Sequence, residues 1–193
     1  MLSRLAIIGL VGVWIGLPVG AARALNVMSL TPVAQEASLG ESVLVTLQME
    51  FDDPTLGGGV EVLFDESVLE FVSFVFDAGL GDDPSFRLTP SVPTGGNRLV
   101  LGFGEFGGLA GSRAVGVFSF DAVGLGLANL STGPNVQPAG PFVSAASPPD
   151  LLVVGFEDST LLVVPEPGTL GLLTLGSGGL FLLGSRGRVP RTD

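Results

Sequence analysis

Residues 42–51 alternate almost strictly between apolar and polar side chains, with Val43, Val45, Leu47, Met49 and Phe51 in one register and Ser42, Thr46, Gln48 and Glu50 in the other. Successive side chains of a β-strand point to opposite faces, so a period of two describes a strand with one face in a core and one in water. Further strand-like runs lie at residues 60–64, 68–76, 98–103, 114–123, 151–156 and 160–164. Between them stand Asp52-Asp53-Pro54, Gly57-Gly58-Gly59, Asp65-Glu66-Ser67, Gly81-Asp82-Asp83-Pro84, Pro93-Thr94-Gly95-Gly96-Asn97 and Gly107-Gly108, which read as loops because each supplies a positive or a fixed φ. No stretch between the two ends of the chain sustains a helical period. Short strands spaced by turns predict an all-β antiparallel sandwich rather than an α/β fold. The phenylalanines in strand runs, including Phe64, Phe71, Phe118 and Phe120, are expected in its core, with at least one of Phe118 and Phe120 buried.

The two ends have a different chemistry. Arg4 precedes an apolar run at residues 5–17, then Pro18 and the small-residue site Ala22-Arg23-Ala24. That order is the one of a secretory signal peptide, residues 1–24, cut after Ala24. At the other end Pro165-Glu166-Pro167 leads into residues 168–185, uncharged and rich in Leu and Gly, which stop at Arg186 and Arg188. The segment is about long enough for a transmembrane helix, and arginines retained in the cytoplasm would leave the preceding chain outside. Proline donates no backbone hydrogen bond and keeps the residue before it extended, so Pro165 and Pro167 hold Val164 and Glu166 in a form that a processing enzyme can grip.

Residues 165–193 resemble the PEP-CTERM sorting signal of Gram-negative bacteria, in which a Pro-Glu-Pro motif, one transmembrane helix and an arginine cluster close the chain. The matching residues are Pro165, Glu166, Pro167, the span 168–185, Arg186 and Arg188. The resemblance implies an exosortase, a membrane-embedded cysteine transpeptidase, as processing partner, and export linked to exopolysaccharide and biofilm. It also implies a single pass through the inner membrane before processing, and the cell surface or extracellular matrix after it.

Residues 25–164 remain, the length of one ordinary domain. Three arginines (Arg87, Arg98, Arg113) stand there against seventeen carboxylates, and the whole chain lacks lysine. Such a surface repels phosphate backbones, which argues against nucleic acid as a partner. There is no cysteine for a disulfide, so burial alone must hold the fold in an oxidising compartment.

Leu30-Thr31-Pro32-Val33, residues 39–47 and residues 60–71 look like the first half of a cohesin-like domain, and residues 114–124 are similar to that family's late core strand and the loop after it. The resemblance implies a jelly-roll β-sandwich of about nine strands built for non-catalytic binding. It carries over no dockerin-binding face residue by residue.

Absences narrow the chemistry further. Without His and Cys there is no Ser-His-Asp or Cys-His system and no zinc site built on imidazole or thiolate, and without Lys no Schiff base. A pair of carboxylates could still serve a polysaccharide hydrolase, from among Glu61, Asp65, Glu66, Glu70, Glu105 and Asp121. Alternation places Glu61 and Glu70 at solvent-facing positions, where a hydrated surface is the simpler reading. A carbohydrate-binding module is disfavoured because the only tryptophan, Trp14, lies in the signal peptide and there is no tyrosine. Asp52-Asp53, and Asp77 with Asp82-Asp83, offer hard oxygen ligands for calcium, though not at EF-hand spacing. No other cofactor is expected. Asn129-Leu130-Ser131 has the form of a glycosylation sequon and reads as an ordinary loop. The expectation is therefore an exported, non-enzymatic interaction protein, with extracellular polysaccharide or another envelope protein as its partner.

Overall fold

The computed structural model describes residues 25–90, 96–135 and 137–166. Among them are the strands β1 Asn26–Thr31, β2 Ala34–Ser38, β3 Ser42–Leu63, β4 Leu69–Phe76, β5 Arg98–Ala122, β6 Gly126–Pro134, β7 Val143–Ser144, β8 Gly155–Glu157 and β9 Ser159–Val164, with a 3-10 turn at Pro84–Phe86. β3 and β5 are antiparallel partners over most of their lengths, from Ser42 opposite Asp121 to Leu63 opposite Arg98. Laid out straight, β3 would hold its ends roughly 70 Å apart at the usual rise per residue. Yet the ring of Phe64, one residue past the end of β3, lies 5.4 Å from that of Phe120, the partner of Val43 near its beginning. The ribbon doubles back on itself, and its halves become the two layers of a sandwich.

Register shifts between Phe51 and Thr55 and between Thr55 and Gly57 mark the bend. Here the sequence reading is corrected: Asp52-Asp53-Pro54, Gly57-Gly58-Gly59 and Gly107-Gly108 do not separate strands but lie within β3 and β5. The turn chemistry is present, and it is used as bulges that bend a continuous ladder. The first half of β3 lies between the second half of β5 and β1, with β4 beyond β5 and β8 beyond β1. Its second half lies between the first half of β5 and β6, followed by β9 and β2. The pairing is antiparallel through the centre. Two edge pairs, β1 with β8 and β2 with β9, are parallel. The chain passes from β1 to β2 at Pro32 and from β8 to β9 at Asp158, and Ser159 Oγ donates to the Pro32 carbonyl at 2.6 Å.

The alternation read from residues 42–51 is realised, with Val43, Val45, Leu47, Met49 and Phe51 all buried. Phe118 and Phe120 are both fully buried, since residues two apart share a face of a strand. Phe71 and Phe74 pack against them with ring centroids 4.5 to 6.5 Å apart. Residues three apart would face opposite sides of a regular strand. A register shift between Phe71 and Ser73 resets the parity, leaving Val72 and Ser73 both outward. β2 and β6 lie outside the strand-like runs of the sequence, β1 is touched only by the cohesin-like Leu30-Thr31, and Asn129-Leu130-Ser131 lies in β6 rather than in a loop. The run 151–156 pairs regularly only from Gly155 onward, while Leu151 makes one isolated bridge to Val143.

Truncation tests the faces directly. Phe118→Ala should cost about 3–5 kcal/mol in chemical denaturation, as for other buried phenylalanines. Leu44→Ala, on the outward side of β3, should change stability by less than about 0.5 kcal/mol. Equal losses from the two would refute the assignment of faces.

Candidate interaction surface

A groove of about 510 Å³ opens beside the bend, floored by Gly57, Gly58, Gly102 and Gly104 and walled by Phe86 and Arg87. The floor is bare because the chain needs the space. A Cβ at Gly58 would sit 2.6 Å from the ring of Phe142, which is buried against Phe51 and Phe103, and one at Gly102 would sit 2.5 Å from the Cβ of Ala139. At the rim, Phe86 and Phe106 meet edge to face with centroids 4.8 Å apart, and they are 44% and 77% exposed. Other apolar side chains are exposed too, Val75 and Leu151 among them, but Phe86 and Phe106 are the exposed aromatic pair among the described residues. Neither is among the phenylalanines that the strand runs place in the core. Their signal was available, since Phe86 follows Asp83-Pro84-Ser85 and Phe106 precedes Gly107-Gly108, both turn contexts.

Arg87 is fixed in the groove wall. Its Nε and Nη2 donate to the two carboxylate oxygens of Asp82 at 2.8 and 2.6 Å, and its Cζ lies 4.7 Å from the centre of the Phe76 ring. The hydrogen bond to Asp82, helped by its charge, holds the guanidinium above its ordinary pKa against the opposing effect of desolvation. The Asp82 side chain has no solvent exposure, whereas that of Arg87 is 26% exposed. The wall of the groove is thus locally neutral, and among the described residues no carboxylate lines it.

The other candidate acids lie elsewhere. Glu61 pairs with Arg98 at 2.6 Å, Asp65 accepts from the backbone and hydroxyl of Ser67, and Glu105 accepts from the Gly107 amide at 3.0 Å. Glu66 is exposed. Glu70 and Asp121 are cross-strand neighbours, and Ser42 Oγ donates to Asp121 at 2.6 Å, but they lie in the regular ladder of β4 and β5, outside the groove. The acids considered for calcium are each engaged by the chain: Asp52 by the Leu25 amide, Asp53 by Asn26, Asp77 by the Gly79 amide, Asp82 by Arg87 and Asp83 by Ser85. Among the described residues no three acidic, His or Cys side chains are grouped to hold a metal. Hydrogen bonds from Ser67 lower the pKa of Asp65, and those from Ser85 lower that of Asp83. Their stabilisation is complete above the ordinary carboxylate range and is lost as pH falls through the lowered values.

Of the sorting residues, Pro165 is half-buried and Glu166 exposed, directly after the last strand, whose Val164 carbonyl accepts from the Leu39 amide at 2.9 Å. Ala24, Pro167, Arg186, Arg188 and the span 168–185 lie outside the described residues. Among those described, no helix is long and apolar enough to cross a membrane. The exit at Val164 is next to Ser38, at the opposite end of the first half of β3 from the bend and its groove.

No protein-family model matches the sequence, and no curated protein does. Solved structures do. The seventh ScaB type I cohesin of Pseudobacteroides cellulosolvens superposes with a TM-score of 0.59 at 12% identity, over 74% of this chain and 94% of that one. The sixth cohesin of Acetivibrio cellulolyticus scaffoldin B, solved in complex with a Cel5 dockerin, gives 0.57 at 15% identity, over 72% of this chain and 99% of that one. A non-cellulosomal cohesin from the archaeon Archaeoglobus fulgidus gives 0.53 at 14%, over 78% and 97%. The fold is a cohesin-like β-sandwich.

The Asp82–Arg87 pair predicts an asymmetry. Arg87→Ala strands a carboxylate that has no exposure and should cost about 3–5 kcal/mol. Asp82→Asn leaves an arginine that can turn to water and should cost about 1–2 kcal/mol. Urea melts of the two variants check this, and a larger loss from Asp82→Asn would show that desolvation of the acid does not govern the pair.

Proposed function

We propose that this protein is an exported, non-enzymatic interaction module of the cell envelope or extracellular matrix, released from the membrane by an exosortase acting at Pro165-Glu166-Pro167. The observation that carries the reading is the polarity of the domain. The chain leaves at Val164 on one end, and the groove with Phe86 and Phe106 lies near the bend, roughly 30 Å away along β3. A domain held by its C-terminus in the inner membrane presents this aromatic rim outward, and after processing the same rim is free to meet a partner in the matrix. The cohesin from Acetivibrio cellulolyticus was solved with a dockerin, so binding another protein is a use to which this fold lends itself. The partner of the present chain is an envelope protein. Extracellular polysaccharide is the second reading, favoured by the exposed phenylalanine pair alone.

One experiment separates delivery from binding. In a host with an exosortase, the wild-type chain should appear shortened and held in the extracellular matrix. Glu166→Ala should remain full-length in the membrane fraction. Phe86→Ser with Phe106→Ser should be shortened normally but lost to the medium. Normal shortening of Glu166→Ala would remove the sorting motif from the account, and retention of the double variant in the matrix would remove the aromatic rim.

A further inference from the structure

Leu25 is held at two points by one residue. Its backbone nitrogen donates to the Asp52 carboxylate at 2.8 Å, and its carbonyl accepts from the Asp52 amide at 3.2 Å. The next residue repeats the arrangement with the next acid. Asn26 donates through its side-chain nitrogen to the Asp53 carboxylate at 3.2 Å and accepts from the Asp53 amide at 3.1 Å. β1 is thus clamped to the bend from its first residues, by two acids that stand where β3 turns between the layers.

We propose that Asp52 is a binding site for the protein's own new N-terminus. The inference rests on the reading of residues 1–24 as a signal peptide cut after Ala24. Hydrolysis of that bond adds one water: Ala24 leaves as a carboxylate, and the Leu25 nitrogen, formerly a neutral amide, becomes an amine that takes up a proton. The nitrogen already lies within hydrogen-bond distance of Asp52, so a neutral contact becomes a charge-assisted one without movement of the backbone. The site reads the position of the cut. A chain one residue longer or shorter would carry its ammonium away from the carboxylate.

The surroundings reinforce the pairing. β3 contributes Asp52, Asp53 and Glu50, the last opposite Val27, and β8 contributes Glu157 opposite Ser29. β5 brings Arg113 opposite Met49, but its guanidinium donates to the carbonyls of Ala110 and Leu80. The local field is negative, which favours the protonated amine. Its pKa should therefore lie above the ordinary value of about 7.7–8.0. A folded pKa above the unfolded one gives stability that is fully present below the unfolded value and lost as pH rises through the folded one. Leu25 is 58% exposed, so the effect is that of a surface ion pair.

The absence of lysine makes the test clean, because the α-amino group is the only amine in the protein. The full chain is exported from a bacterial host, the N-terminus of the exported form is sequenced, and its amine is titrated by reductive methylation followed by NMR. The expected result is a first residue Leu25 and an amine pKa raised by about half a unit, returned to the ordinary range by Asp52→Asn. Glu50→Gln, which leaves the clamp in place, should retain most of the rise. A first residue other than Leu25 would overturn the proposal together with the cleavage reading. Leu25 at the N-terminus with an amine that does not respond to Asp52→Asn would overturn the proposal while leaving that reading intact.

Discussion

The fold hinges on making one long two-stranded ribbon double over on itself, because both layers of the sandwich are halves of the same pair of strands. Nothing covalent enforces the reversal, since the chain has no cysteine. It is held by what the two halves bury between them. Val43, Val45, Leu47, Met49 and Phe51 line one inner face, and Val60, Val62, Leu99, Leu101 and Phe103 line the other, all with almost no exposure. Burial of each such side chain is worth about 1.5–3 kcal/mol, and together they offset the entropy of ordering the bend. The bend needs residues that tolerate a close approach, and Phe142 entering the core beside Gly58 shows why bulky side chains are excluded there.

Much of this was legible in the sequence where one physical signal acted alone. Residues 42–51 announced a half-buried strand because burial on one face and water on the other impose a period of two. The phenylalanines in strand runs, Phe64, Phe71, Phe118 and Phe120, were placed in the core and are buried there. The class of fold followed from the spacing of such runs.

The rest was hidden where two signals conflict. At Asp52-Asp53-Pro54 and Gly57-Gly58-Gly59, turn chemistry outweighed strand pattern in the sequence, although in the structure both hold, since a bulged strand needs turn residues and still keeps its ladder. β2 and β6 carry too few large apolar residues to announce themselves. β2 is Ala34-Gln35-Glu36-Ala37-Ser38, a strand because it pairs with β9 rather than by its own preference. Phe86 and Phe106 are hidden for the opposite reason: aromatic residues usually mean core, and that expectation outweighs the turn residues beside them, Asp83-Pro84-Ser85 and Gly107-Gly108. The Asp82–Arg87 pair, five residues apart across a 3-10 turn, likewise follows no regular spacing.

The reversal of the ribbon can be measured as a distance. Because the chain has no cysteine, Leu44→Cys and Leu63→Cys can each carry a nitroxide at a position that is 62% or 38% exposed, on the outward sides of the two layers. With layers packed about 10 Å apart, pulsed spin-label spectroscopy should give a separation of about 20–35 Å once the label arms are included. A separation near about 60 Å, the span of the intervening residues in a straight strand, would show that the ribbon does not fold over and would contradict the sandwich.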